Sequence, residues 1–274
     1  MKKICFVGGG NMASAMLAGL RKKHPALDCH IIEPFAQARE KLANLGVTVH
    51  AAASHVAVAG SDAVVLAVKP QVMKQVCGEL LPFLNGELIV SIAAGIKIAS
   101  LSRWLGDQPR GDQRIVRTMP NTPALIGQGV TGLFAPASLS AADVATATEL
   151  MQSTGIVVPV ASEAMIDSVT AVSGSGPAYV FQWIESMLAA AQDVGFSATD
   201  ARALVLGTLK GATALAEASS EPVSLLRERV TSKGGTTAAA LVVLNDRRVG
   251  DAILEAVRAA KNRAAELGDL LDRE

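Results

Sequence analysis

Residues 4–13 of the chain read Ile4-Cys5-Phe6-Val7-Gly8-Gly9-Gly10-Asn11-Met12-Ala13, a short apolar run that leads into three glycines. A run of this kind is typical of a strand buried on both faces of a parallel sheet. The residues that follow the glycines favour a helix. The glycines therefore lie on a strand-to-helix turn with the spacing Gly8-x-Gly10-x-x-Ala13, the dinucleotide-binding fingerprint with alanine in its third position.

Each position of this fingerprint has a mechanical reason. Gly8 permits a tight turn, Gly10 lets a pyrophosphate approach the backbone, and Ala13 lets the helix pack close to the strand. The helix N-terminus adds unpaired N–H groups and a partial positive charge for the phosphates. The pattern therefore predicts a bound dinucleotide; the alternative is a tight turn without a ligand.

The composition bounds the class of protein. The 274 residues suffice for two domains or one large one. Half of them are apolar but only 3% are aromatic, so the core must consist of Ala, Val, Leu and Ile. The 25 basic and 25 acidic residues cancel, so no net charge draws the chain to nucleic acid or to a membrane. No window approaches the roughly 18 apolar residues of a membrane span, and the glycines interrupt any signal peptide, so we expect a cytoplasmic protein.

Cysteine and histidine are confined to the first third of the chain. The cysteines are Cys5, Cys29 and Cys77, and the histidines are His24, His30, His50 and His55. The cysteines lie in apolar runs without CxxC spacing, so we expect buried thiols and neither a disulfide nor a metal site. Residues 56–274 contain no histidine, which excludes a histidine metal ligand or a histidine acid/base from that part of the chain.

The end of the second predicted strand bears on the choice of coenzyme. The strand predicted over residues 29–32 is followed by Glu33-Pro34. An acid about 20 positions after the glycines usually accepts hydrogen bonds from the adenosine ribose hydroxyls and favours NAD. Glu33 has a second interpretation as an exposed acid that caps the next helix. Arg39, one turn into that helix, could instead meet the 2′-phosphate of NADP. The sequence leaves the coenzyme open between NADP and NAD.

Apolar runs predict eight strands that alternate with helices. They cover residues 4–7, 29–32, 47–49, 62–68, 88–92, 113–118, 130–135 and 156–160. This order is typical of a doubly wound, Rossmann-type α/β sheet, in which ligands lie across the carboxyl ends of the strands. The loops 67–70 and 93–95 are thus expected to line the nicotinamide half of the cofactor, because their small residues leave room for a flat ring. Lys69 is either catalytic or a solvated or cofactor-facing lysine.

Three further segments combine glycine or proline with short polar side chains. They read Met119-Pro120-Asn121-Thr122-Pro123, Ser173-Gly174-Ser175-Gly176-Pro177 and Thr231-Ser232-Lys233-Gly234-Gly235-Thr236-Thr237-Ala238. In the first, Asn121 and Thr122 can orient a ligand at a strand end; in the second, Ser175 is a candidate N-cap. The third presents free N–H and O–H groups at a helix start, which suits a carboxylate, although an ordinary turn with a threonine cap fits equally well. Two such helix starts in one helical domain favour a ligand cleft.

No strand signal follows residue 161. Helices are predicted over residues 178–194, 198–218, 223–230, 236–245 and 251–267. We therefore expect a dinucleotide-binding domain at 1–161 and an all-α domain at 162–274. The helix over 178–194 is apolar on nearly every face, so it should be buried under its neighbours or against a second subunit.

Six segments of the chain form an ordered set. They are Phe6-Val7-Gly8-Gly9-Gly10-Asn11-Met12-Ala13, Ala67-Val68-Lys69-Pro70, Ser91-Ile92-Ala93-Ala94-Gly95, Met119-Pro120-Asn121-Thr122-Pro123, Ser173-Gly174-Ser175-Gly176-Pro177-Ala178-Tyr179 and Gly234-Gly235-Thr236-Thr237. Together they resemble the pyrroline-5-carboxylate reductase family over essentially the whole chain. The resemblance implies a Rossmann domain and a helical domain that interlocks with its twin in a homodimer, sometimes within a larger ring. Members reduce the cyclic imine 1-pyrroline-5-carboxylate to L-proline, the last step of proline biosynthesis, usually with NADPH and often also with NADH.

The resemblance also implies roles for individual residues. The backbone of Phe6, Val7, Gly8, Gly9, Gly10, Asn11 and Met12 would hold the pyrophosphate, and Ala67, Val68, Lys69, Pro70, Ala93, Ala94 and Gly95 would flank the nicotinamide. Ser54 would approach the adenosine ribose. The substrate would meet Asn121, Glu163, Ser175, Gly234, Gly235 and Thr236, with Thr237 bonded to the ring nitrogen. Lys233 stands where members often have proline, and Glu33 stands where many NADPH-preferring relatives have a small or hydroxyl residue.

The expected chemistry tolerates the lack of histidine. A protonated imine is already a strong electrophile, so hydride can add without a dedicated general acid, and the protein mainly positions the reactants. A β-hydroxyacid dehydrogenase of similar layout would need a lysine on the first long helix, and no lysine occurs between Lys97 and Lys210. The closer rival is a reductase of another cyclic imine. A non-catalytic nucleotide sensor would have no use for a cleft at residues 234–237.

Overall fold

A computed structural model describes residues 1–106 and 114–273 of the chain. Its strands are β1 (Lys3–Val7), β2 (Asp28–Ile32), β3 (Thr48–His50), β4 (Ala63–Leu66), β5 (Leu88–Ser91), β6 (Ile115–Met119), β7 (Gly129–Phe134) and β8 (Gly155–Pro159). These described strands form one eight-stranded sheet in the order β3-β2-β1-β4-β5-β6-β7-β8. The predicted Rossmann-type sheet is confirmed, and residue 113, the start of the predicted sixth strand, lies outside the described residues.

Strand β7 runs antiparallel to β6, whereas the other neighbouring pairs are parallel. The connection between β6 and β7 contains a 3₁₀ turn, Thr122–Ile126. It is too short for the crossover helix that a parallel pair requires. The apolar run of β7 does not reveal its direction, so the sequence pattern could not predict this reversal.

The central strands β1, β4 and β5 are buried on both faces of the sheet, which is why they are almost purely apolar. In β1, Ile4 and Phe6 belong to the apolar core on one face, and Cys5 and Val7 belong to the core on the other. Each of the four is at most 3% exposed. Alternation of this kind over parallel strands requires helices on both sides of the sheet.

The three cysteines are buried and free, as predicted. Burial raises the pKa of the Cys5 and Cys77 thiols to about 12. Because the thiolate is the reactive form of cysteine, these groups act as small apolar core residues. Among the described residues, no group of three or more metal-ligating side chains comes together.

The helices are α1 (Asn11–Lys23), α2 (Ala36–Ala43), α3 (His55–Val58), α4 (Met73–Leu80), α5 (Ile98–Leu105), α6 (Ala141–Met151), α7 (Met165–Val169), α8 (Gly176–Asp193), α9 (Ala198–Ala218), α10 (Val223–Arg229), α11 (Thr236–Asp246) and α12 (Val249–Arg273). Helix α5 was not predicted from the sequence. A π-helical segment, Thr170–Gly174, follows α7 directly, so α8 begins at Gly176, just after Ser175. Among the described helices, none is long and apolar enough to cross a membrane.

The chain divides into two compact units. The first comprises residues 1–175 together with residues 260 onward, and the second comprises residues 176–259. The domain boundary expected near residue 162 thus precedes the point at which the compact units divide. Helix α12 contributes to both units, because its last part returns to the first.

Helix α8 exposes large apolar side chains in the second unit. Val180, Phe181, Trp183 and Met187 are between 38% and 58% exposed, and no residue of this helix is buried in the single chain. Of the two expectations for α8, burial under neighbouring helices of the same chain is therefore wrong. The other expectation, burial of α8 against a second subunit, remains, because this much exposed apolar surface on one helix marks an interaction site.

Candidate functional site

The glycine turn after β1 is shaped for a ligand that approaches the backbone. Gly8 has a φ of +99°, and a Cβ there would lie 2.8 Å from the carbonyl oxygen of Ala67. Its N–H donates to the carbonyl of Ile32 at 2.9 Å. At Gly10, by contrast, a Cβ would meet no heavy atom within 4 Å. The turn is therefore packed tightly at its first glycine and open at its third.

The N-terminus of α1 fits a phosphate group. Its N-cap is Gly10, no side chain of the described residues caps it, and its first turn contains no acid. The first N–H groups of a helix have no partner within the helix, and the helix dipole makes this end positive. These features fit the pyrophosphate of the dinucleotide that the sequence predicts.

Glu33, directly after β2, is buried behind the turn and is only 7% exposed. Its Oε2 accepts a hydrogen bond from the N–H of Gly9 at 2.9 Å, and its Oε1 accepts one from the N–H of Phe35 at 3.0 Å. Phe35 is the N-cap residue of α2. The interpretation of Glu33 as an exposed acid is wrong, because the carboxylate is buried, but it does bind the start of the next helix.

Arg39 lies on α2, after β2, and Ser54 directly precedes α3, after β3. The Nη1 of Arg39 donates to the carbonyl oxygens of Glu33 at 2.9 Å and Pro34 at 2.6 Å, which fixes the guanidinium at the carboxyl end of β2. Ser54 is the N-cap of α3, and its Oγ accepts a hydrogen bond from the N–H of Ala57 at 3.3 Å. Ser54 thus has a structural bond beside its predicted role at the ribose.

The two loops predicted to flank the nicotinamide follow neighbouring strands, β4 and β5. The N–H of Ala67 donates to the carbonyl of Val7 at 2.8 Å, and the N–H of Ile92 donates to that of Leu66 at 3.2 Å. Both loops therefore start at the carboxyl edge of the sheet, the first beside the end of β1 and the second beside the end of β4. Lys69 is exposed, which suits a solvated lysine and a cofactor-facing one equally.

The last part of α12 packs against the loop 93–95. Gly95 has a φ of +79°, and a Cβ there would lie 3.2 Å from Cδ1 of Leu271. A Cβ on Gly268 would lie 3.0 Å from the carbonyl oxygen of Gly95. Trp104 of α5 packs against the same apolar cluster as Leu271. This contact has little signature in the sequence, where its one sign is a glycine inside a helical pattern.

Polar bonds hold the same part of α12 in place. Lys97 pairs with Asp269 at 2.6 Å, and Arg103 pairs with Asp272 at 2.7 Å. The hydroxyl of Ser100 also donates to Asp272. The hydrogen bond that Lys97 donates to Asp269 raises the pKa of Lys97, and the bonds from Ser100 and Arg103 lower the pKa of Asp272. The ions are solvent-exposed, so these bonds orient the helix end more than they stabilise it.

Glu163 belongs to a charged cluster around a buried arginine. Arg117, on β6, is 2% exposed, and its guanidinium contacts Glu163 at 3.3 Å and Asp167 at 3.0 Å. Oε1 of Glu163 also accepts a hydrogen bond from the N–H of Ile98, the first residue of α5, at 2.7 Å. Arg117 was missed in the sequence because a single arginine in a strand gives no sign of where its charge is neutralised.

Asn121 is buried, and its amide joins two segments near the end of β6. Its Nδ2 donates to the carbonyl of Ser173 at 3.0 Å, and its Oδ1 accepts from the N–H of Val130 at 2.8 Å. The amide thereby ties the start of β7 to the π-helical segment. Ser175 follows that segment, and its N–H donates to the carbonyl of Thr170 at 2.8 Å.

The second glycine pair forms a tight turn in the second unit. Gly234 has a φ of +72°, and the N–H of Gly235 donates to the carbonyl of Ser232 at 3.0 Å. Gly235 is the N-cap of α11, with no side-chain cap from the described residues and no acid in the first turn. Thr236 and Thr237 are the first residues of the helix, and Thr237 is half-buried. The alternative of a threonine-capped turn is wrong, because the N-cap is glycine.

The structure therefore gathers the predicted cofactor residues at the carboxyl edge of the sheet. The glycine turn, Glu33, Ser54 and the loops 67–70 and 93–95 all lie in the first unit, as do Asn121 and Glu163. Residues 234–237 lie in the second unit. Helices α1 and α11 each have glycine at the N-cap, and their first turns offer N–H groups to an anion.

A doubly wound sheet with an uncapped glycine turn after β1 defines the dinucleotide-binding class of α/β proteins. Within this class, a family model described as "NADP oxidoreductase coenzyme F420-dependent" matches residues 3–95. A second model, described as "Pyrroline-5-carboxylate reductase dimerisation", matches residues 163–267.

Relatives with the same name align over the full length. The pyrroline-5-carboxylate reductase of Pseudomonas aeruginosa is 45% identical over 271 residues, which cover 98% of each chain. That of Escherichia coli is 35% identical over 271 residues, which cover 97% of this chain and 98% of the relative. The chain belongs to the pyrroline-5-carboxylate reductase family.

Solved structures agree with this assignment. A pyrroline-5-carboxylate reductase from Coxiella burnetii has a TM-score of 0.88 and 36% identity, covering 96% of this chain and 97% of that one. Pyrroline carboxylate reductase from Plasmodium falciparum, solved with NADP bound, has a TM-score of 0.85 and 29% identity, covering 97% and 98%. An imine reductase from Streptomyces aurantiacus has a TM-score of 0.56 and 18% identity over 97% and 95%, a likeness that shows the fold alone.

Proposed function

We propose that this chain is a pyrroline-5-carboxylate reductase, which adds hydride to the imine carbon of 1-pyrroline-5-carboxylate and yields L-proline, the last step of proline biosynthesis. The observation that carries the proposal is the full-length identity of 45% to the Pseudomonas aeruginosa enzyme. The second unit adds chemical support, because an uncapped helix start with two hydroxyl residues suits the carboxylate of this substrate.

The coenzyme of the proposed reaction is NADPH, with NADH as a possible substitute. A bound nicotinamide supplies the hydride. The chain holds it with the N–H groups at the start of α1 for the pyrophosphate, and with the loops 67–70 and 93–95 beside the ring. The small side chains of these loops leave room for the ring, and Gly8 keeps the turn close enough to the end of β4 for both groups to be held at once.

The substrate roles follow from the chemistry of each group. The N–H groups of Gly234 and Thr236 bind the carboxylate, while Gly235 shapes the turn, because its own N–H is bonded to Ser232. The hydroxyl of Thr237 bonds the ring nitrogen and orients the imine. Asn121, Glu163 and Ser175, in the first unit, keep the substrate role that the resemblance implies; Asn121 and Glu163 act through the contacts already described, since their polar atoms bond protein groups. None of these groups has to transfer a proton to make the imine reactive, because the substrate can arrive protonated.

Subunit pairing and location complete the proposal. The apolar face of α8 and the dimerisation match over residues 163–267 support a homodimer, with a larger ring as an extension. We retain 1–161 as the dinucleotide-binding domain and 162–274 as the domain for substrate and dimerisation. Three free, buried thiols suit a reducing compartment, the cytoplasm.

The test is to mix the purified protein with NADPH and 1-pyrroline-5-carboxylate and to follow both NADPH absorbance and proline formation. Stoichiometric loss of NADPH and gain of proline are expected. The matched control is 1-pyrroline, which has the same ring without the carboxylate. Turnover of 1-pyrroline at the same kcat/KM would contradict the carboxylate site and favour an imine reductase of broader range. Coenzyme binding without turnover of either imine would indicate a nucleotide sensor.

A further inference from the structure

The buried carboxylate of Glu33 is turned towards the protein. In the dinucleotide-binding fingerprint, the acid after the second strand accepts the hydroxyls of the adenosine ribose. Here one carboxylate oxygen accepts the N–H of Gly9 and the other accepts the N–H of Phe35, and the residue is 7% exposed. The negative charge of the carboxylate is therefore stabilised by two backbone N–H groups, one in the glycine turn and one at the start of α2.

Arg39 presents the opposite charge at the same strand end. Its Nη1 donates to two neutral carbonyl oxygens, those of Glu33 and Pro34. In the described part of the chain, no carboxylate forms an ion pair with this guanidinium. The group is half-buried, so its position is held by the backbone while its positive charge is not cancelled.

We propose that Arg39 binds the 2′-phosphate of the coenzyme's adenosine ribose, and that Glu33 is a positioning residue that braces the glycine turn. This inference rests on the proposed function only for the presence of a dinucleotide, and it deepens the choice between NADPH and NADH. An acid at this position would ordinarily repel a 2′-phosphate. That repulsion is reduced here, because the carboxylate is buried and bonded while the guanidinium stays available.

The geometry of the two groups supports different recognition roles. A guanidinium offers several N–H donors in a planar fork that matches a phosphate, and it stays charged at every physiological pH. Nη1 is used by the backbone carbonyls, and this bond fixes the plane of the group before any ligand arrives. Glu33 cannot be moved to the ribose without releasing the N–H of Gly9, the central glycine of the turn.

The first experiment measures binding of 2′,5′-ADP and of 5′-ADP by isothermal titration calorimetry, without imine substrate. The wild-type protein is expected to bind 2′,5′-ADP at least about tenfold more tightly, as a charge-assisted contact would give. Arg39→Met should remove most of this preference while leaving 5′-ADP binding unchanged. The matched control is Lys41→Met, which removes an exposed cation from the same helix and should keep the preference. Equal binding of the two nucleotides by the wild type, or an unchanged preference in Arg39→Met, would overturn the assignment of Arg39.

The second experiment separates bracing from ribose binding at Glu33. Glutamine offers one acceptor oxygen for the two N–H groups, so Glu33→Gln should loosen the turn. Binding of NADPH and binding of NADH should then weaken by the same factor. If Glu33 instead bound the ribose hydroxyls, its loss would weaken binding of NADH more than binding of NADPH. The ratio of NADPH affinity to NADH affinity would then rise. Thermal unfolding shows whether Glu33→Gln keeps its fold. If it does not, Glu33→Asp is used in its place, and the same ratio of NADPH affinity to NADH affinity is measured. A raised NADPH preference in either variant would refute the bracing role.

These outcomes are independent of the proposed reaction. If the protein binds both nucleotides as expected but does not reduce 1-pyrroline-5-carboxylate, the proposed function fails and the coenzyme inference stands. If it reduces the imine with no preference for the 2′-phosphate, the inference about Arg39 fails and the proposed function stands.

Discussion

Gly8 and Gly10 lie in the same turn but are required for different reasons. Gly8 is needed by the fold, because its φ is +99° and a Cβ would collide with the backbone of Ala67. Gly10 has φ −68°, which any residue adopts, and open space around it. Its lack of a side chain therefore matters to a ligand and not to the protein.

This contrast gives a paired prediction. Gly8→Ala should lower the free energy of unfolding by about 1–3 kcal/mol, from backbone strain and the clash. Gly10→Val should change the free energy of unfolding by less than about 1 kcal/mol. It should weaken NADPH binding by roughly tenfold or more, since the side chain fills the space through which the pyrophosphate approaches the backbone. Urea unfolding and fluorescence titration with NADPH measure the two effects. Unchanged NADPH affinity in Gly10→Val would contradict the phosphate site.

Thr237 is the residue to which we assign contact with the reacting ring. Thr237→Ala should lower turnover of 1-pyrroline-5-carboxylate by at least about tenfold, as loss of one well-placed donor does, with NADPH affinity nearly unchanged. Thr237→Ser keeps the hydroxyl and is the matched control, so its turnover should stay close to wild type. Steady-state kinetics checks both variants, and full turnover in Thr237→Ala would show that the role belongs elsewhere.

At the scale of elements, the end of α12 acts as a support for the loop 93–95. The contact of Gly268 with the carbonyl of Gly95 allows the helix to approach without a gap. Lys97, Arg103 and Asp272 then fix its orientation. The loop proposed to flank the nicotinamide is thus positioned by a segment more than 170 residues away in sequence.

Substitution of Gly268 tests this support. In Gly268→Ala the new Cβ would lie 3.0 Å from the carbonyl oxygen of Gly95, so the loop must shift, and we expect kcat to fall by roughly tenfold. Gly250→Ala, on the same helix and with no heavy atom within 4 Å of its Cβ, is the control. It should keep activity and change stability by less than about 0.5 kcal/mol, because Gly250 lies in the first turn of α12 and its surroundings are open. Equal kinetics in the two variants would show that the contact does not position the loop.

The start of α6 contributes a pH-dependent term to stability. Asp143 forms a capping box with Ser140 and pairs with Arg114, and the bond from Arg114 is the main cause that lowers the pKa of Asp143 below 3.8. A lowered folded-state pKa gives stability that is present above the unfolded value and lost as the pH falls through the folded one. Asp143→Asn should therefore flatten the acid side of the stability curve, measured by urea unfolding at a series of pH values. An unchanged acid slope would show that the pair contributes nothing.

The elements themselves were predictable from the sequence to a large extent, whereas their non-local partners were not. The central strands were visible because burial on both faces leaves almost no polar residue in them. Helix α5 was overlooked, and the direction of β7 depends on the length of a loop. The bond from Gly9 to Glu33 involves a backbone N–H, which has no sequence signature. Arg117 and Gly268 likewise look ordinary until distant segments meet them in the fold.

At the scale of the whole molecule, the apolar face of α8 calls for a partner surface. Phe181 is 58% exposed in the single chain. Phe181→Arg should place a charge in the subunit interface and shift the protein from dimer to monomer, as measured by analytical ultracentrifugation. Ile156→Arg is the control, because Ile156 is similarly exposed, at 63%, on β8 of the first unit. A dimer that persists in Phe181→Arg would place the interface on another face.

The positions of the two tryptophans provide a separate optical probe for each unit. Trp104 lies on α5 of the first unit, in the apolar cluster with Leu271, and Trp183 lies on the apolar face of α8 in the second. A chain with Trp104→Phe would emit only from α8, so a shift of its emission to shorter wavelength would follow subunit pairing. A chain with Trp183→Phe would emit only beside α12, and quenching of its emission would record release of that helix end in real time.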